Sequence, residues 1–359
     1  MPSPIVPKAL EPGQTIAWIS PSLRLNDKLP RLMARATAVL TSKGYKVREF
    51  YTVDKGIQDS IANRLSELRA AFTDPSISAV FCTIGGTTFT ELLPALLADT
   101  ALHEAIRAHP KVVVGYSDIT GLHWFLHAMT GLRTFYGPGA IPELGEIGSL
   151  ENEDSPVAFC ARNLFRAVAN RSPIGDVERS RFFAPSIPPS SLDDNSEAVN
   201  KVLPSAGWIW LRPGRGEGRL FGGCLTVMAR IAGVRAIAPD WRGRIVFLET
   251  ASGDDNVSGN LIERVQAGIA DLIAQGVFDD VAGLVVGRPF GYHTPEKREE
   301  YANVIKGLLC EGPMAEKKFP ILYNVDFGHS SPIISLPYDT LARLDSDKDQ
   351  FAILESAVV

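Results

Sequence analysis

The apolar pattern in the first part of the chain alternates between two periods. Thr15-Ile-Ala-Trp-Ile-Ser20 is a short apolar run closed by Pro21, which predicts a strand. Leu29, Leu32, Met33, Ala36, Val39 and Leu40 then share one helical face, with Gly44 at the C-terminal end. Lys46-Val-Arg-Glu-Phe50 predicts a second strand. Ile61, Leu65, Leu68 and Phe72 predict a second helix, ended by Asp74-Pro75. A third, very apolar strand over 79–84 runs into Gly85-Gly86-Thr87-Thr88, and a helix follows through Leu92, Leu93, Leu96 and Leu97. Val112, Val113 and Val114 form a β-branched run of the kind buried on both faces of a sheet. After Gly115 the period changes again. Leu122, Phe125, Leu126 and Met129 fall at i, i+3, i+4 and i+7. Strands alternating with helices predict a parallel α/β sheet with helices on both faces.

The composition shifts between Asn170 and Ser205. Arg181-Phe-Phe-Ala-Pro-Ser-Ile-Pro-Pro-Ser-Ser191 is rich in proline and serine, and Asp193-Asp-Asn-Ser-Glu197 is acidic. This divides the chain into an N-terminal α/β domain over 1–169, an interdomain linker or lid over 170–206, and a C-terminal α/β domain over 207–359. In the last of these, residues 215–225 read as a glycine-dense turn before a helix through Val227 and Ile231. Arg244-Ile-Val-Phe-Leu248 is a strong strand with Glu249 at its carboxyl end. A helix through Leu261, Val265, Ile269 and Leu272 follows, then strands over 281–286 and 321–326. Residues 333–336 and 342–344 read as short antiparallel strands.

In open parallel sheets, ligands collect beyond the carboxyl ends of the strands. Two loops fit that position, Gly85-Gly86 and Gly115-Tyr-Ser-Asp118. Gly85 and Gly86 allow close approach of backbone N–H groups to a ligand, or form a plain strand-to-helix turn. Neither a P-loop nor a dinucleotide fingerprint follows them. Ser117 lies between a buried strand and a helix, as in a nucleophile elbow, although Ile119 replaces the second glycine of G-x-S-x-G. By itself the turn suits a nucleophile or a capping serine.

A serine hydroxyl needs a base within hydrogen-bond reach. Of six histidines, His103 and His109 read as solvated near a helix end, and His293 lies in a polar loop. His123 and His127 have i, i+4 spacing but no H-E-x-x-H pattern, so no metal site is expected. His329 follows a strand end, in the same kind of edge loop as Ser117. Glu249 is the best-placed carboxylate to orient it, with Asp118 and Asp326 as rivals. Arg215, Arg219 and Arg288 are candidates to recognise a substrate carboxylate, or are structural. Phe182 and Phe183 dock the linker or touch substrate.

Charge and composition narrow the classes. A formal net charge of −5 gives no basic footprint for nucleic acid, and no apolar run is long enough for a bilayer. Cys82, Cys160, Cys224 and Cys310 have no metal-like spacing and read as reduced thiols of a cytoplasmic protein.

Thr83-Ile-Gly-Gly86 with Leu92-Leu93-Pro94, Gly115-Tyr-Ser-Asp118 and Phe135-Tyr-Gly-Pro138 form an ordered set in the first half. In the second half it continues as Glu217-Gly-Arg-Leu with Gly222-Gly223, Phe247-Leu-Glu-Thr250, Gly287-Arg288 and Gly328-His329. Together these segments resemble the L,D-carboxypeptidase family of serine peptidases, and within it the microcin C immunity branch. The resemblance implies two α/β domains with the active site between them, and a Ser117–Glu249–His329 triad. It implies an oxyanion hole from the backbone N–H groups of Gly86 and Asp118. Gly85, Glu217, Arg288 and Phe183 become candidate substrate contacts. A homodimer without metal or organic cofactor is implied. So is hydrolysis, through an acyl-enzyme, of an amide next to a free carboxylate in a small, murein-tetrapeptide-like peptide. A peptidyl- or aminoacyl-nucleotide substrate is the alternative, and a non-enzymatic small-molecule binding protein a further one. Two features depart from the family pattern. Cys224 stands where the family has an asparagine, and the interdomain stretch holds Phe182 and Phe183 but no tryptophan.

Overall fold

A computed structural model of the chain describes residues 2–255 and 257–359. The first sheet contains strands β1 (Thr15–Ile19), β2 (Lys46–Phe50), β3 (Ile77–Cys82), β4 (Val112–Gly115) and β5 (Phe135–Tyr136), all parallel. Helices α1 (Pro30–Ser42), α2 (Ile57–Thr73), α3 (Leu93–Ala98), α4 (Thr100–Ala108) and α5 (Thr120–Thr130) alternate with them. Helix α6 (Pro156–Val168) completes this half. Every residue of β4 is buried, as its unbroken apolar run requires. Helix α5 is buried on nearly all sides, because it lies between the first sheet and the second half of the chain. There the Trp124 indole donates to the Gly222 carbonyl at 2.9 Å.

The stretch expected to be a linker is stitched to both halves. Strand β6 (Gly175–Asp176) lies at the edge of the second sheet, and β7 (Phe182–Phe183) pairs with β8 (Leu203–Pro204) around the short helix α7 (Pro189–Leu192). The Ala184 N–H donates to the Ser331 carbonyl at 2.8 Å. The Asp194 carboxylate accepts the N–H groups of Arg31 and Leu32, both at 2.9 Å, at the α1 N-terminus. A carboxylate there pairs with the unsatisfied donors and positive end of the helix.

Among the described residues the second sheet has eight strands. They are β6, β9 (Ile209–Arg212), β10 (Arg215–Cys224), β11 (Arg244–Glu249), β12 (Gly283–Gly287), β13 (Ile321–Val325), β15 (Leu341–Asp345) and β16 (Gln350–Ile353). The four central strands β10 to β13 are parallel, while β9 and β15 flank them antiparallel. Helices α8 (Leu225–Ile231), α9 (Ile262–Ala274) and α10 (Pro295–Leu309) pack beside them. Strand β14 (Leu336–Pro337) leaves this sheet and pairs antiparallel with β5 of the first. The chain after β13 therefore crosses back, and one continuous core runs under both sheets.

The structure corrects one sequence reading here. Residues 215–224 form a ten-residue strand, not a turn. Their glycines serve close strand packing. A Cβ on Gly222 would stand 1.7 Å from the Phe247 carbonyl oxygen, and one on Gly216 would stand 1.8 Å from that of Ala282. Glycine in a strand interior marks such approaches as often as it marks a turn. Replacing Gly222 with Ala should therefore lower stability by at least the roughly 1–3 kcal/mol typical of overpacking. Gly307→Ala, on the exposed face of α10 with open space around it, should stabilise by up to about 1 kcal/mol. Denaturant midpoints of the two variants give the comparison, and equal shifts would sink the explanation.

Candidate active site

The Ser117 turn is set by the change from β4 to α5. Tyr116 is extended, Ser117 has φ of +62°, and a short 3₁₀ turn over Ser117–Ile119 leads into the helix. A non-glycine residue in the left-handed region is strained and persists only where its surroundings hold it. Here the Ser117 N–H donates to the Tyr136 hydroxyl at 3.1 Å, and Gly85 lies against its side chain. A Cβ on Gly85 would come 2.6 Å from Ser117 Cβ and 3.2 Å from the Asp118 nitrogen.

His329 reaches this turn from the loop between β13 and β14. Its Nε2 is 2.9 Å from Ser117 Oγ, and its Nδ1 is 2.7 Å from Glu249 Oε2. A carboxylate can only accept, so Nδ1 carries hydrogen toward Glu249 and Nε2 is left to accept from the serine hydroxyl. Glu249 is fully buried at the end of β11, and its second oxygen accepts from the Tyr136 hydroxyl at 2.6 Å. Tyr136 thus joins the serine backbone to the carboxylate. Gly287 and Gly328 make room for that carboxylate, since a Cβ on either would come 2.8 Å from Glu249 Cβ.

Burial opposes ionisation of Glu249, but the His329 charge and the hydrogen bonds from His329, Tyr136 and Cys224 outweigh it. The carboxyl is held below its usual range. Burial likewise disfavours the charged imidazole of His329, and the Glu249 carboxylate more than reverses this, so its pKa is raised. Two further acids lie close by. Glu143 accepts from the Tyr116 hydroxyl at 2.6 Å, and Glu146 accepts from Ser331 Oγ at 3.1 Å. Burial pushes each carboxyl up to about 7. The Tyr116 ring stands edge-on to His329 at 5.1 Å.

A cavity of about 550 Å³ opens over Ser117 and His329, within the range of small-molecule sites. Its walls are largely apolar and include Leu23, Leu25, Ile141, Pro142, Leu192 and Phe290. Gly85 and Gly86 line it beside the serine, whereas no lysine or arginine does among the described residues. A shallower groove along α10 is larger but is lined by acids and amides without a nucleophile.

Several expected contacts lie elsewhere. Glu217 is on β10 and pairs with Arg343 at 2.6 Å, away from the cavity. Arg288 is buried in an ion pair with Asp326, and its guanidinium lies over the Phe183 ring at 5.1 Å. That stack buries Phe183, so the residue docks its segment and does not line the cavity. Arg215 pairs with Asp345 and Asp347, and Arg219 with Glu355. The rivals to Glu249 are also engaged: Asp326 accepts from Trp208 at 2.8 Å, and Asp118 faces Ser22, Phe89 and Arg230. Cys224 is buried beside Glu249, outside the cavity. His103, expected in solvent, is buried with Nε2 at 2.7 Å from the Leu96 carbonyl, whereas His109 is exposed. His123 bridges Thr134 and the Gly115 carbonyl. Among the described residues no cluster of three ligating side chains could hold a metal. Sequence reading missed Tyr136 as a hydrogen-bond bridge, the Glu143–Glu146 pair and Arg230.

Titration separates these histidines. In Ser117→Ala protein, NMR should show His329 protonating above the ordinary histidine range, while burial keeps His123 and His127 neutral down to about 4. Glu249→Gln removes the charge that favours the imidazolium, so the His329 midpoint should fall. A midpoint that stays put would refute the assigned cause.

The chain as a whole has known counterparts. The LD-carboxypeptidase N-terminal domain matches residues 16–137, and the LD-carboxypeptidase C-terminal domain matches residues 217–344. The microcin C7 self-immunity protein MccF of Escherichia coli is 27% identical, over 98% of this chain and 96% of its own. The murein tetrapeptide carboxypeptidase of Pseudomonas aeruginosa is 24% identical, over 80% of this chain and 79% of its own. The structure of MccF in complex with glutamyl sulfamoyl guanosine superposes with a TM-score of 0.82 at 26% identity, covering 99% of this chain and 100% of that one. Both halves of the fold, and the order in which they occur, place this chain in the LD-carboxypeptidase family.

Proposed function

We propose that the protein is a serine-type amide hydrolase in which Ser117 is the nucleophile, His329 the general base and acid, and Glu249 the residue that orients and stabilises the imidazolium. The observation that carries this reading is the unbroken chain of hydrogen bonds from Ser117 Oγ through His329 to the buried Glu249, at the floor of the cavity. His329 Nε2 takes the hydroxyl proton as Ser117 Oγ bonds to the amide carbon. The carbonyl oxygen becomes an oxyanion facing the N–H groups of Gly86 and Asp118. His329 then gives the proton to the leaving nitrogen, the C–N bond breaks, and an acyl-enzyme remains. Water, deprotonated by the same imidazole, releases the acid and restores the serine.

The substrate we favour is a small peptide cut next to a free carboxylate, as the name of the Pseudomonas relative suggests. A second reading, an amide carried on a nucleotide-like group, has an observation of its own. The largely apolar cavity wall, with Asp254 as its one acid and no lysine or arginine among the described residues, suits a flat ring system without negative charge, and MccF is the relative seen with glutamyl sulfamoyl guanosine. The four cysteines are free, which suits a reducing compartment such as the cytoplasm.

Ser117→Ala should lower turnover by roughly 10⁴-fold or more on whichever of murein tetrapeptide and aminoacyl sulfamoyl-adenosine the protein cleaves. Peptide mapping after a fluorophosphonate should find the label on Ser117. Label on Ser330 or Ser331, or a Ser117→Ala protein that keeps its activity, would overturn the assignment.

A further inference from the structure

Asp118 follows the nucleophile, and its side chain is turned away from the cavity and fully buried. Oδ2 accepts from Ser22 Oγ at 2.6 Å and from the Phe89 N–H at 2.8 Å. Ser22 Oγ in turn accepts the Thr88 N–H at 3.2 Å, and the Leu23 N–H donates to the Gly85 carbonyl at 2.9 Å. One carboxylate therefore gathers three segments: the turn carrying Ser117, the loop after β1, and the loop containing Gly85 and Gly86. The remaining oxygen, Oδ1, is held by Arg230.

Arg230 comes from the other half of the chain, in the last turn of α8. Its guanidinium spans the boundary. Nη2 pairs with Asp118, and Nη1 donates to the Thr87 carbonyl at 3.3 Å. It thus touches the two segments that carry the proposed oxyanion donors, Asp118 N–H and Gly86 N–H. Gly86 has φ of +138°, and a Cβ there would stand 2.5 Å from Ser22 Oγ, so the loop has little room to settle elsewhere. A planar guanidinium can fix two acceptors at once, which an ammonium cannot do with the same geometry. The Arg230 side chain is 40% exposed while its partner carboxylate is at 0%, so removing it opens a path for water to Asp118 and leaves the core in place.

We infer that Arg230 is a positioning residue, a clamp from the second half of the chain that holds the Ser117 turn and the Gly85–Gly86 loop at the spacing an oxyanion requires. It touches no reacting atom and acts through Asp118 and Thr87. The inference rests on Ser117 being the nucleophile. It adds that the oxyanion donors of the first half are in place only when the second half is docked on them. Displacements of about 1 Å in such constellations cost about 10²-fold in rate.

The test uses a fluorophosphonate, whose reaction at Ser117 loses fluoride and places a phosphoryl oxygen where the oxyanion would sit. Inactivation of the full chain gives a maximal rate and a half-saturating concentration. In Arg230→Met the maximal rate should fall about 10²-fold, with half-saturation moving less than about threefold. Arg230→Lys, which keeps the charge but not the fork, should recover part of the rate. A maximal rate within about threefold of the unaltered protein would overturn the clamp. So would a fall in rate matched by the same fall in affinity and in melting temperature, because that marks a structural role. Ser117→Ala distinguishes the two claims: if it is still labelled at another serine, the nucleophile assignment fails, and if it is unlabelled while Arg230→Met reacts normally, only the clamp fails.

Discussion

Glu249 is a carboxylate fully buried between two sheets, and the surrounding structure answers the cost of putting it there. An ionised group in the interior is tolerated only with partners placed to satisfy it. His329 and Tyr136 fill that role, one from the returning chain and the other from β5 of the first sheet. Each partner has a second bond: His329 reaches Ser117 Oγ and Tyr136 holds the Ser117 N–H. The strained φ of Ser117 is thus held by the same group that sets the basicity of its imidazole. Gly287 and Gly328 belong to this arrangement because side chains there would occupy the space of the carboxylate.

Neither half of the chain contains this assembly. The first sheet brings Ser117 and Tyr136, the second brings Glu249, and His329 sits on the loop that passes from one to the other. The contacts joining the halves are backbone-directed as well as apolar. The Trp124 indole donates to the Gly222 carbonyl at 2.9 Å, and the Cys224 N–H donates to Thr120 Oγ1 at 3.0 Å. Such directional bonds fix relative placement more tightly than apolar contact alone, which has no preferred angle.

The parallel strands of both halves were readable because burial on two faces leaves an unbroken apolar run, as in Val112, Val113 and Val114. Ser117, Glu249 and His329 stood out as candidates because each lies where such a run stops. Other features had no local signal. Glycines 216, 218 and 222 have the composition of a turn, and only the neighbouring backbone explains them, while Gly223 lies against the Thr120 side chain. Asp194 looks like one more acid in a polar stretch, and only the distant α1 N-terminus gives it work. Arg230 was illegible for the same reason, since its partners are over a hundred positions away. Helix α10 did have a readable face, in Tyr301, Ala302, Ile305 and Leu309, but its charged first turns mask it. His103 was misread because helix ends tend to be wet, and here the neighbouring helix supplies a carbonyl in place of water.

The return of the chain at Leu336 and Pro337 has a consequence for how this architecture can be inherited. Because β14 closes the open edge of β5, the first sheet is finished only by residues that follow β13, far along the chain from β5. While only the first half has emerged, its sheet has an unpaired edge at β5, the kind of surface that templates association with other chains. The halves are therefore not modules that recombination can exchange one at a time. A donor half would have to bring both the loop carrying the imidazole and a strand whose register fits the recipient's edge.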